Sequence, residues 1–370
     1  MNTTELAPHS ARPPLPLYRQ VENYLRDQIE SGALQSGDLL PSVKELCDQF
    51  GGINHLTVRQ AIKSLVDENL VRSVQGRGSF VTERKTRDQR IALVLPHLED
   101  TLFIRIAKGA QEYFESVGIR TIILDSRGSE TTEADHIQNL KNLPLQGALI
   151  FPIARSDIAE QIFKLKIEKF CFVLVDRYFE EIAAPCVVVD NYDGGYQSAN
   201  YLAQRGRKCV GWIGELRSGP ARLRLEGFKA ALNDNGLACP GNLIKDVEVE
   251  PSAPIPYHQS MKENVRAAID ILLEEQPTLD AIVCCDDFCA LIALEYLQSL
   301  GKRVPNDIAL IGFDDVPGAE TSRPALTTVK QPMQEMGREA ARLLAERMKN
   351  PALPPEKVVL PVQFILRETA

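Results

Sequence analysis

The segment LTVRQAIKSLVDENLVRSVQGRGSFV, residues 56–81, decides the fold of the first part of the chain. Its first half repeats apolar residues at helical spacing, which puts four of them on one face: Val58, Ala61, Ile62 and Leu65. Its second half holds two short β-prone pieces joined by residues 75–78, QGRG, a turn that tolerates positive φ. The segment therefore predicts a helix followed by a two-stranded β-wing.

Two further helical stripes precede this segment. They consist of Val21, Tyr24, Leu25 and Ile29, and of Val43, Leu46, Cys47 and Phe50. Gly- and Ser-rich pieces separate the stripes, so three short helices can share one core ahead of the wing. A unit of this shape places its third helix in the DNA major groove and its hairpin against the backbone.

The exposed side of the third helix carries polar groups. They are Asn54, His55, Thr57, Arg59 and Gln60. Amide, hydroxyl and guanidinium groups of this kind read base edges or bind phosphates. Asn54 could equally cap the helix while Arg59 stays solvated, so composition alone leaves DNA contact and a plain surface helix both open.

Residues 16–82 resemble the GntR-type winged helix, through PLYRQVENYLRDQIESGALQSGDLLPSVKEL and the segment quoted first. The resemblance implies DNA contacts at Lys44, Thr57 and Arg59 and at the wing tip, Gln75, Gly76 and Arg77. Where the family usually reads Val-Ser-Arg, this chain has Ile53-Asn54-His55, after an extra Gly51-Gly52 pair. A neutral His in place of Arg weakens a phosphate or guanine contact, so the base preference of relatives does not carry over to Asn54 and His55.

Net charge divides unevenly along the chain. Residues 1–88 hold eleven basic and eleven acidic side chains, so the formal charge of −8 belongs wholly to residues 89–370. Within the first part, residues 71–87 form a basic strip with five Lys and Arg against Glu83 alone. Such a strip suits phosphate binding, although a solvated linker could have the same composition.

From Arg90 onward the pattern alternates between short apolar runs and amphipathic stretches. The runs are IALVLP, RTIILD, GALIFP, CFVLVD, CVVVD, VGWIG, LDAIVCC and DIALIGF. Continuous apolar runs are typical of parallel strands buried on both faces. The alternation predicts a doubly wound α/β architecture, and some 280 residues of it predict two lobes.

Charged side chains follow several of these predicted strands. They are Asp125, Asp176, Arg177, Asp190, Asp286, Asp287, Asp314 and Asp315. Ligands of parallel sheets bind beyond the carboxyl ends of the strands, where carboxylates accept hydrogen bonds from sugar hydroxyls and Arg222 and Arg224 would donate. Acids in these places also cap helices, and both roles can coexist. Trp212 could stack on a sugar ring or lie in the core.

Residues 89–370 resemble the LacI-type effector domain, a periplasmic-binding-protein-like fold. The motifs are ARLRLEGFKAAL, LDAIVCCDDFCALIAL, GKRVPNDIALIGFDD, RPALTTVKQPMQEMGREAARLL and FILRETA. The resemblance implies effector contacts at Asp176, Arg224, Asp286 and Asp314, with Phe103 as an apolar wall and Asp190 as a sixth contact. Asp286 stands where many relatives have Asn, and a carboxylate cannot donate as an amide does.

The two resemblances together give a domain plan. A GntR-type module replaces the DNA-binding end of the LacI family, as in the arabinose-responsive repressor type of hybrid. The plan comprises a disordered tail 1–15, a winged helix-turn-helix 16–82, a linker 83–89 and an effector domain 90–370, with an N-lobe of 90–189 plus 331–359 and a C-lobe of 190–330 plus 360–370.

Several classes of protein are disfavoured. No apolar run is long enough to span a membrane and residues 1–16 lack the apolar stretch of a signal peptide, so we expect a cytoplasmic protein. The eight cysteines form no C-x-x-C pair, and phosphate-loop, G-x-S-x-G and H-E-x-x-H motifs are missing, so no metal, cofactor or catalytic residue is predicted. Paired Asp286 and Asp287 leave acid–base chemistry or a divalent cation as a minor alternative.

The sequence therefore predicts a transcriptional regulator, a repressor more than an activator. It would bind double-stranded operator DNA as a homodimer, because operator symmetry requires two copies, and a small sugar-like effector would control its affinity. The alternatives are a sugar-binding protein without DNA-binding function and a sugar-processing enzyme.

Overall fold

The computed structural model describes residues 15–82, 89–153, 156–247 and 257–370. The chain forms two compact units, Met1–Asp88 and Gln89–Ala370. The predicted tail, except for Leu15, and the predicted linker, except for Gln89, lie outside the described residues. No helix in the described ranges is long and apolar enough to cross a membrane.

The first unit is three helices and a β-hairpin. Its elements are α1 (Leu17–Glu30), α2 (Val43–Gln49), α3 (His55–Asp67), β1 (Val71–Val74) and β2 (Gly78–Val81). The apolar stripes meet in one core that includes the buried Val21, Leu25, Leu46, Val58 and Leu65. Ser42 and Glu45 form a capping box that starts α2, and β1 pairs antiparallel with β2. The helices and wing predicted from the sequence are confirmed.

The second unit alternates strands and helices. In chain order they are β3 (Arg90–Leu95), α4 (Thr101–Ser116), β4 (Arg120–Asp125), α5 (Glu130–Asn139), β5 (Gly147–Ile150), α6 (Ser156–Ile167), β6 (Phe172–Val175), β7 (Cys186–Val189), α7 (Asn191–Gln204), β8 (Val210–Gly214), α8 (Gly219–Asp234), β9 (Ile244–Asp246), α9 (Tyr257–Glu275), β10 (Ala281–Cys284), α10 (Asp287–Ser299), β11 (Ala309–Ile311), α11 (Pro317–Thr321), β12 (Thr328–Lys330), α12 (Met333–Lys349), β13 (Lys357–Leu360) and β14 (Gln363–Ile365).

Two parallel sheets organise these elements into two lobes. The N-lobe sheet has the order β13-β7-β6-β5-β3-β4, and the C-lobe sheet has the order β11-β10-β8-β9. Successive residues of β3 enter opposite cores, Ile91 one and Ala92 the other, because helices cover both faces of the sheet. The predicted doubly wound α/β architecture is confirmed. A small antiparallel sheet pairs β12 with β14. In the chain, β12 comes directly before α12, and β14 comes directly after β13.

The structure adds elements that the sequence pattern did not single out, chiefly α6, α12 and β12–β14. The helix α5 ends at Asn139, and the chain continues into a short 3₁₀ turn. Trp212 lies in β8 with 1% of its surface exposed, so its ring belongs to the C-lobe core. Leu360 ends β13 in the N-lobe sheet, opposite Val189.

Glycine allows α7 and α8 to pack backbone to backbone. A Cβ on Gly195 would overlap the carbonyl of Arg224, and a Cβ on Gly227 would overlap the carbonyl of Tyr192. This close crossing fixes the part of α8 that carries Arg224 against the start of α7.

Gly195→Ala is therefore expected to force α7 and α8 apart. Overpacking of this kind costs about 1–3 kcal/mol in the free energy of unfolding, measurable by urea denaturation. Gly219→Ala, at the first residue of α8, is the matched control, because a Cβ there meets no atom within 4 Å. Equal stability of the two variants would show that the helices can separate without cost.

Candidate DNA-binding and effector-binding sites

The start of α3 presents the polar residues singled out in the sequence. Asn54 caps the helix, its Oδ1 accepting from the Leu56 backbone N–H at 2.9 Å, and His55 is the first helical residue. Arg59 is exposed one turn further, and Thr57 is half-buried. The capping role is thus real, and it leaves the amide Nδ2 of Asn54 as a donor.

Positive charge in the winged helix is segregated. On α1, Arg19 pairs with Glu22, and Arg26 pairs with both Glu22 and Glu68. The other basic residues of 15–82 form no ion pair with a described residue, and they are Lys44, Arg59, Lys63, Arg72 and Arg77. These five lie on α2, α3 and the wing, whereas the paired arginines Arg19 and Arg26 lie on α1. Such a distribution is the electrostatic footprint of a phosphate-binding face.

The wing supplies further polar groups beside α3. The hydroxyls of Ser73 and Ser79 lie 2.9 Å apart across the hairpin, and Gln75, Gly76 and Arg77 form its exposed turn. A cavity of about 350 Å³ lies between α2, α3 and the wing. Its lining is Val43, Arg59, Ile62, Lys63, Val66, Ser73 and Ser79. Lys63 and the two serines were not predicted from the sequence, since no motif marks them.

In the second unit the predicted effector residues lie at strand ends and helix starts. Asp176 follows β6 and Asp314 follows β11, both with positive φ, 69° and 114°. That region is costly for a side chain with a Cβ. Each backbone N–H is held by the neighbouring strand, Asp176 by the carbonyl of Val187 and Asp314 by that of Val329. Strain of this kind is stored at functional sites more than elsewhere.

Asp190 and Asp286 cap the helices that follow them. Asp190 Oδ1 accepts from the Asp193 N–H at 2.9 Å, and Asp286 Oδ1 accepts from the Cys289 N–H at 2.7 Å. The capping alternative raised by the sequence therefore holds for both residues. Each is only partly buried, so the second oxygen can still meet a ligand.

Arg224 is the centre of the C-lobe side of the site. Its Nη1 donates to the Cys285 carbonyl at 2.5 Å and its Nε donates to Asn191 Oδ1 at 2.8 Å. The guanidinium lies over the Phe313 ring, 3.6 Å from its centroid, and 3.7 Å from Asp314 Oδ1. These contacts hold a buried cation in one orientation, whereas Arg222 on the same helix is exposed.

Asp314 is influenced by opposing effects. Burial raises the pKa of its carboxyl well above the ordinary value, while the nearby Arg224 guanidinium opposes the rise. Gln331 Nε2 donates to Asp314 Oδ1 at 2.5 Å, and Gln331 Oε1 is buried without a hydrogen-bond partner. Gln331 is a polar member of this cluster that the sequence pattern did not single out.

Acidic residues of the two lobes lie within electrostatic reach of one another. Burial raises the pKa of Asp100, the residue that caps α4 in the N-lobe, and the charges of Asp286 and Asp176 raise it further. Asp286 belongs to the C-lobe, so its charge acts on a residue of the N-lobe. Arg177 Nε is buried without a hydrogen-bond partner, 3.6 Å from Asp176 Oδ2.

Two features predicted from the sequence, the apolar wall at Phe103 and the pair Asp286 and Asp287, involve buried side chains. The ring of Phe103 is 5% exposed and packs edge-on against Phe151 in the N-lobe core, so it offers little surface as a wall. Asp287 is fully buried, whereas Asp286 is only partly buried and caps α10. Among the described residues, no group of three His, Cys, Asp or Glu side chains is placed to hold a metal ion.

Comparison with protein families matches both units. Residues 17–81 match the bacterial regulatory proteins of the gntR family, and residues 199–370 match the periplasmic binding protein-like domain. A curated arabinose metabolism transcriptional repressor from Geobacillus stearothermophilus is 27% identical over 342 residues, 90% of this chain and 92% of that protein. A ribose operon repressor from Haemophilus influenzae is 27% identical over 317 residues, covering 84% and 89%.

Solved structures share the fold. A complex described as the transcriptional regulator CelR with cellobiose has a TM-score of 0.67 at 24% identity, covering 97% of this chain and all of that one. A LacI family regulator from Enterococcus faecium with bound ribose has a TM-score of 0.64 at 22% identity, covering 76% and 98%.

Proposed function

We propose that this chain, which joins a GntR-type winged helix to a LacI-type periplasmic-binding-protein-like domain, is a transcriptional repressor whose affinity for operator DNA is set by a sugar. The curated relatives described above are repressors, in agreement with a regulator and not an enzyme. The observation that carries the proposal is the combination of unpaired cations on α2, α3 and the wing with a buried Arg224 among strand-end carboxylates.

The DNA-binding face would consist of Lys44, Asn54, His55, Thr57, Arg59, Gln75, Gly76 and Arg77. Arg59 and the Nδ2 of Asn54 would meet base edges, a role supported by their position near the N-terminal end of α3. Lys44 and Arg77, on α2 and the wing turn, suit phosphates. Operators read by winged helices are commonly two-fold symmetric, so we propose that the repressor acts as a homodimer.

The effector site would consist of Asp176, Arg177, Asp190, Arg224, Asp286 and Asp314, with Phe103 beneath it. Carboxylates accept from sugar hydroxyls, and Arg224 donates a fixed fork. Arabinose, ribose and cellobiose are the first candidates, because they occur in the names of the relatives. Effector control requires that the sugar bind one arrangement of the lobes better than another.

The test is a thermal-shift series with L-arabinose, D-ribose and cellobiose, followed by selection of duplexes from a random DNA pool with and without the sugar that binds. We expect one sugar to raise the melting temperature and to change the yield of selected DNA. A sugar that stabilises the protein while no duplex is ever selected would favour a sugar-binding protein. Conversion of the added sugar into a product would favour a sugar-processing enzyme.

A further inference from the structure

Each lobe contains a fully buried carboxyl group on one of its helices. Glu133 on α5 and Asp287 on α10 are both 0% exposed. Each lies on a helix that follows a strand of its lobe's sheet, and neither belongs to the proposed contacts with DNA or sugar. Burial raises the pKa of both carboxyls, to about 7 in each case.

Glu133 joins loops at the carboxyl ends of three N-lobe strands. Its Oε1 accepts from the backbone N–H of Ile153, just after β5, at 2.9 Å. Its Oε2 lies 3.5 Å from the hydroxyl of Ser126, just after β4, and that hydroxyl is 3.2 Å from the carbonyl of Leu95 in β3. Of the charged groups around it, Arg177 after β6 lowers the pKa and Glu130 on α5 raises it.

In the C-lobe, Asp287 joins the loop after β11 to the strand β12. Its Oδ2 accepts from the backbone N–H of Val316 at 2.9 Å, in the loop that begins with Asp314. Its Oδ1 accepts from the hydroxyl of Thr328 in β12 at 2.5 Å. A Cβ on Gly312 would overlap Oδ1, so the loop passes directly over the carboxyl.

The charged groups that raise the pKa of Asp287 most strongly are acidic. Asp286 on the same helix and Asp315 in the loop after β11 both raise the pKa of Asp287. Asp287 in turn contributes to the raised pKa of Asp314. The carboxyl is therefore held by N–H and O–H donors and not by a cation.

We propose that Glu133 and Asp287 are positioning residues for the two walls of the effector site, and that their ionised forms hold those walls in the arrangement that binds sugar. Both oxygens of each carboxyl face donors in the structure, which suits a carboxylate. Protonation places a hydrogen on one oxygen, which reverses the hydrogen bond with the hydroxyl facing it. It also removes the negative charge that strengthens the bond from the backbone N–H to the other oxygen. The ionised form therefore fastens the loops, although burial makes ionisation costly.

Stability and binding should then depend on pH in opposite directions. Because the folded-state pKa of each carboxyl is raised, its stabilising contribution is complete below its ordinary pKa, 4.5 for Glu133 and 3.8 for Asp287, and is lost as the pH rises through about 7. Sugar affinity should instead rise with pH, by up to about tenfold between pH 6 and 8 for each carboxyl that must ionise. A role confined to holding the fold would not produce the second trend.

The first experiment needs no ligand. Amide hydrogen exchange of Ile153 and Val316, corrected for intrinsic rates, is measured between pH 6 and 8 in the whole protein. We expect protection to increase with pH, Glu133→Gln to remove the increase only at Ile153, and Asp287→Asn to remove it only at Val316. Protection that does not change with pH in the unaltered protein would overturn the proposal.

The matched controls are Asp135→Asn and Glu295→Gln, exposed acids on the same two helices. These two variants should leave the pH dependence of protection at both amides unchanged. If Asp287→Asn fails to fold, Thr328→Val replaces it, since removal of the hydroxyl donor should shift the Val316 transition to higher pH. No shift in Thr328→Val would count against the proposed role of Asp287.

The second experiment measures sugar affinity, and it rests on the proposed function. Calorimetric titration with L-arabinose, D-ribose and cellobiose at pH 6 and 8 should show tighter binding at pH 8 in the unaltered protein. Each of Glu133→Gln and Asp287→Asn should bind more weakly than it does at pH 8, and should keep only the pH dependence that comes from the remaining carboxyl. Variants that bind like the unaltered protein would overturn the proposal. If none of the sugars binds at either pH, the sugar assignment fails, and the amide experiment still decides the role of the carboxyls.

Discussion

Replacing Arg224 with methionine is expected to abolish the response of the protein to its effector. The side chain is buried, and its guanidinium is the cation nearest to Asp314 among the described contacts. Loss of one member of a buried, hydrogen-bonded charge pair costs about 2–5 kcal/mol, which corresponds to at least about thirtyfold weaker sugar binding. The measurement is the sugar-induced thermal shift and calorimetric affinity of the variant.

The matched control for this variant is Arg222→Met. Arg222 is exposed on the same helix, so the change removes the same charge without touching the site. Arg224→Lys keeps the charge, but a lysine cannot reproduce a fork that reaches both Cys285 and Asn191, so binding should still fall strongly. Retention of DNA binding would show that the variants are folded. Normal sugar affinity in Arg224→Met would disprove the assignment of the pocket.

Arg59→Ala should weaken operator binding while leaving the sugar response intact. The side chain is exposed on α3 and has no ion-pair partner among the described residues. A base or phosphate contact of this kind contributes about 1–3 kcal/mol, or about 5- to 150-fold in affinity. Binding to a selected duplex, measured over a range of salt concentrations, distinguishes a phosphate contact from a base contact. Loss of a phosphate contact lowers the salt slope by about one, and loss of a base contact relaxes sequence preference.

Arg19→Ala is the control for net charge. Arg19 lies on α1 and pairs with Glu22, so its loss removes one positive charge from the winged helix without removing an unpaired cation. If Arg19→Ala weakened binding as much as Arg59→Ala, only the overall charge of the unit would matter. A binding defect specific to Arg59 would instead locate the DNA on the side of α2, α3 and the wing.

Most of the architecture could be predicted from the sequence, because local patterns carry it. Stripes such as Val58, Ala61 and Leu65 mark helix faces, and continuous apolar runs mark strands buried on both sides. The helices α6 and α12 and the strands β12–β14 were not singled out. The strands β12–β14 are only three or four residues long and depend on partners far away in the chain.

The candidate sites were predicted less completely. Acids after strands pointed to the cleft, since parallel strands end at one edge of a sheet. Nothing local distinguished Asp287, which is buried, from Asp286, which caps a helix at the site. Gln331 gave no local signal either, because its importance comes from its contact with Asp314, which lies 17 residues away in the chain.

The sequence by itself determined the two kinds of domain, the alternation of strands and helices along the second one, and the residue types that suit DNA and sugar. Periodicity and motif spacing are properties of neighbouring residues, so they need no tertiary information. Only the tertiary structure decided which cations are neutralised, which carboxyls are buried and which loops they fasten. Burial and pairing are set by long-range contacts. The same aspartate type therefore serves as a helix cap at Asp190 and as a buried anchor at Asp287.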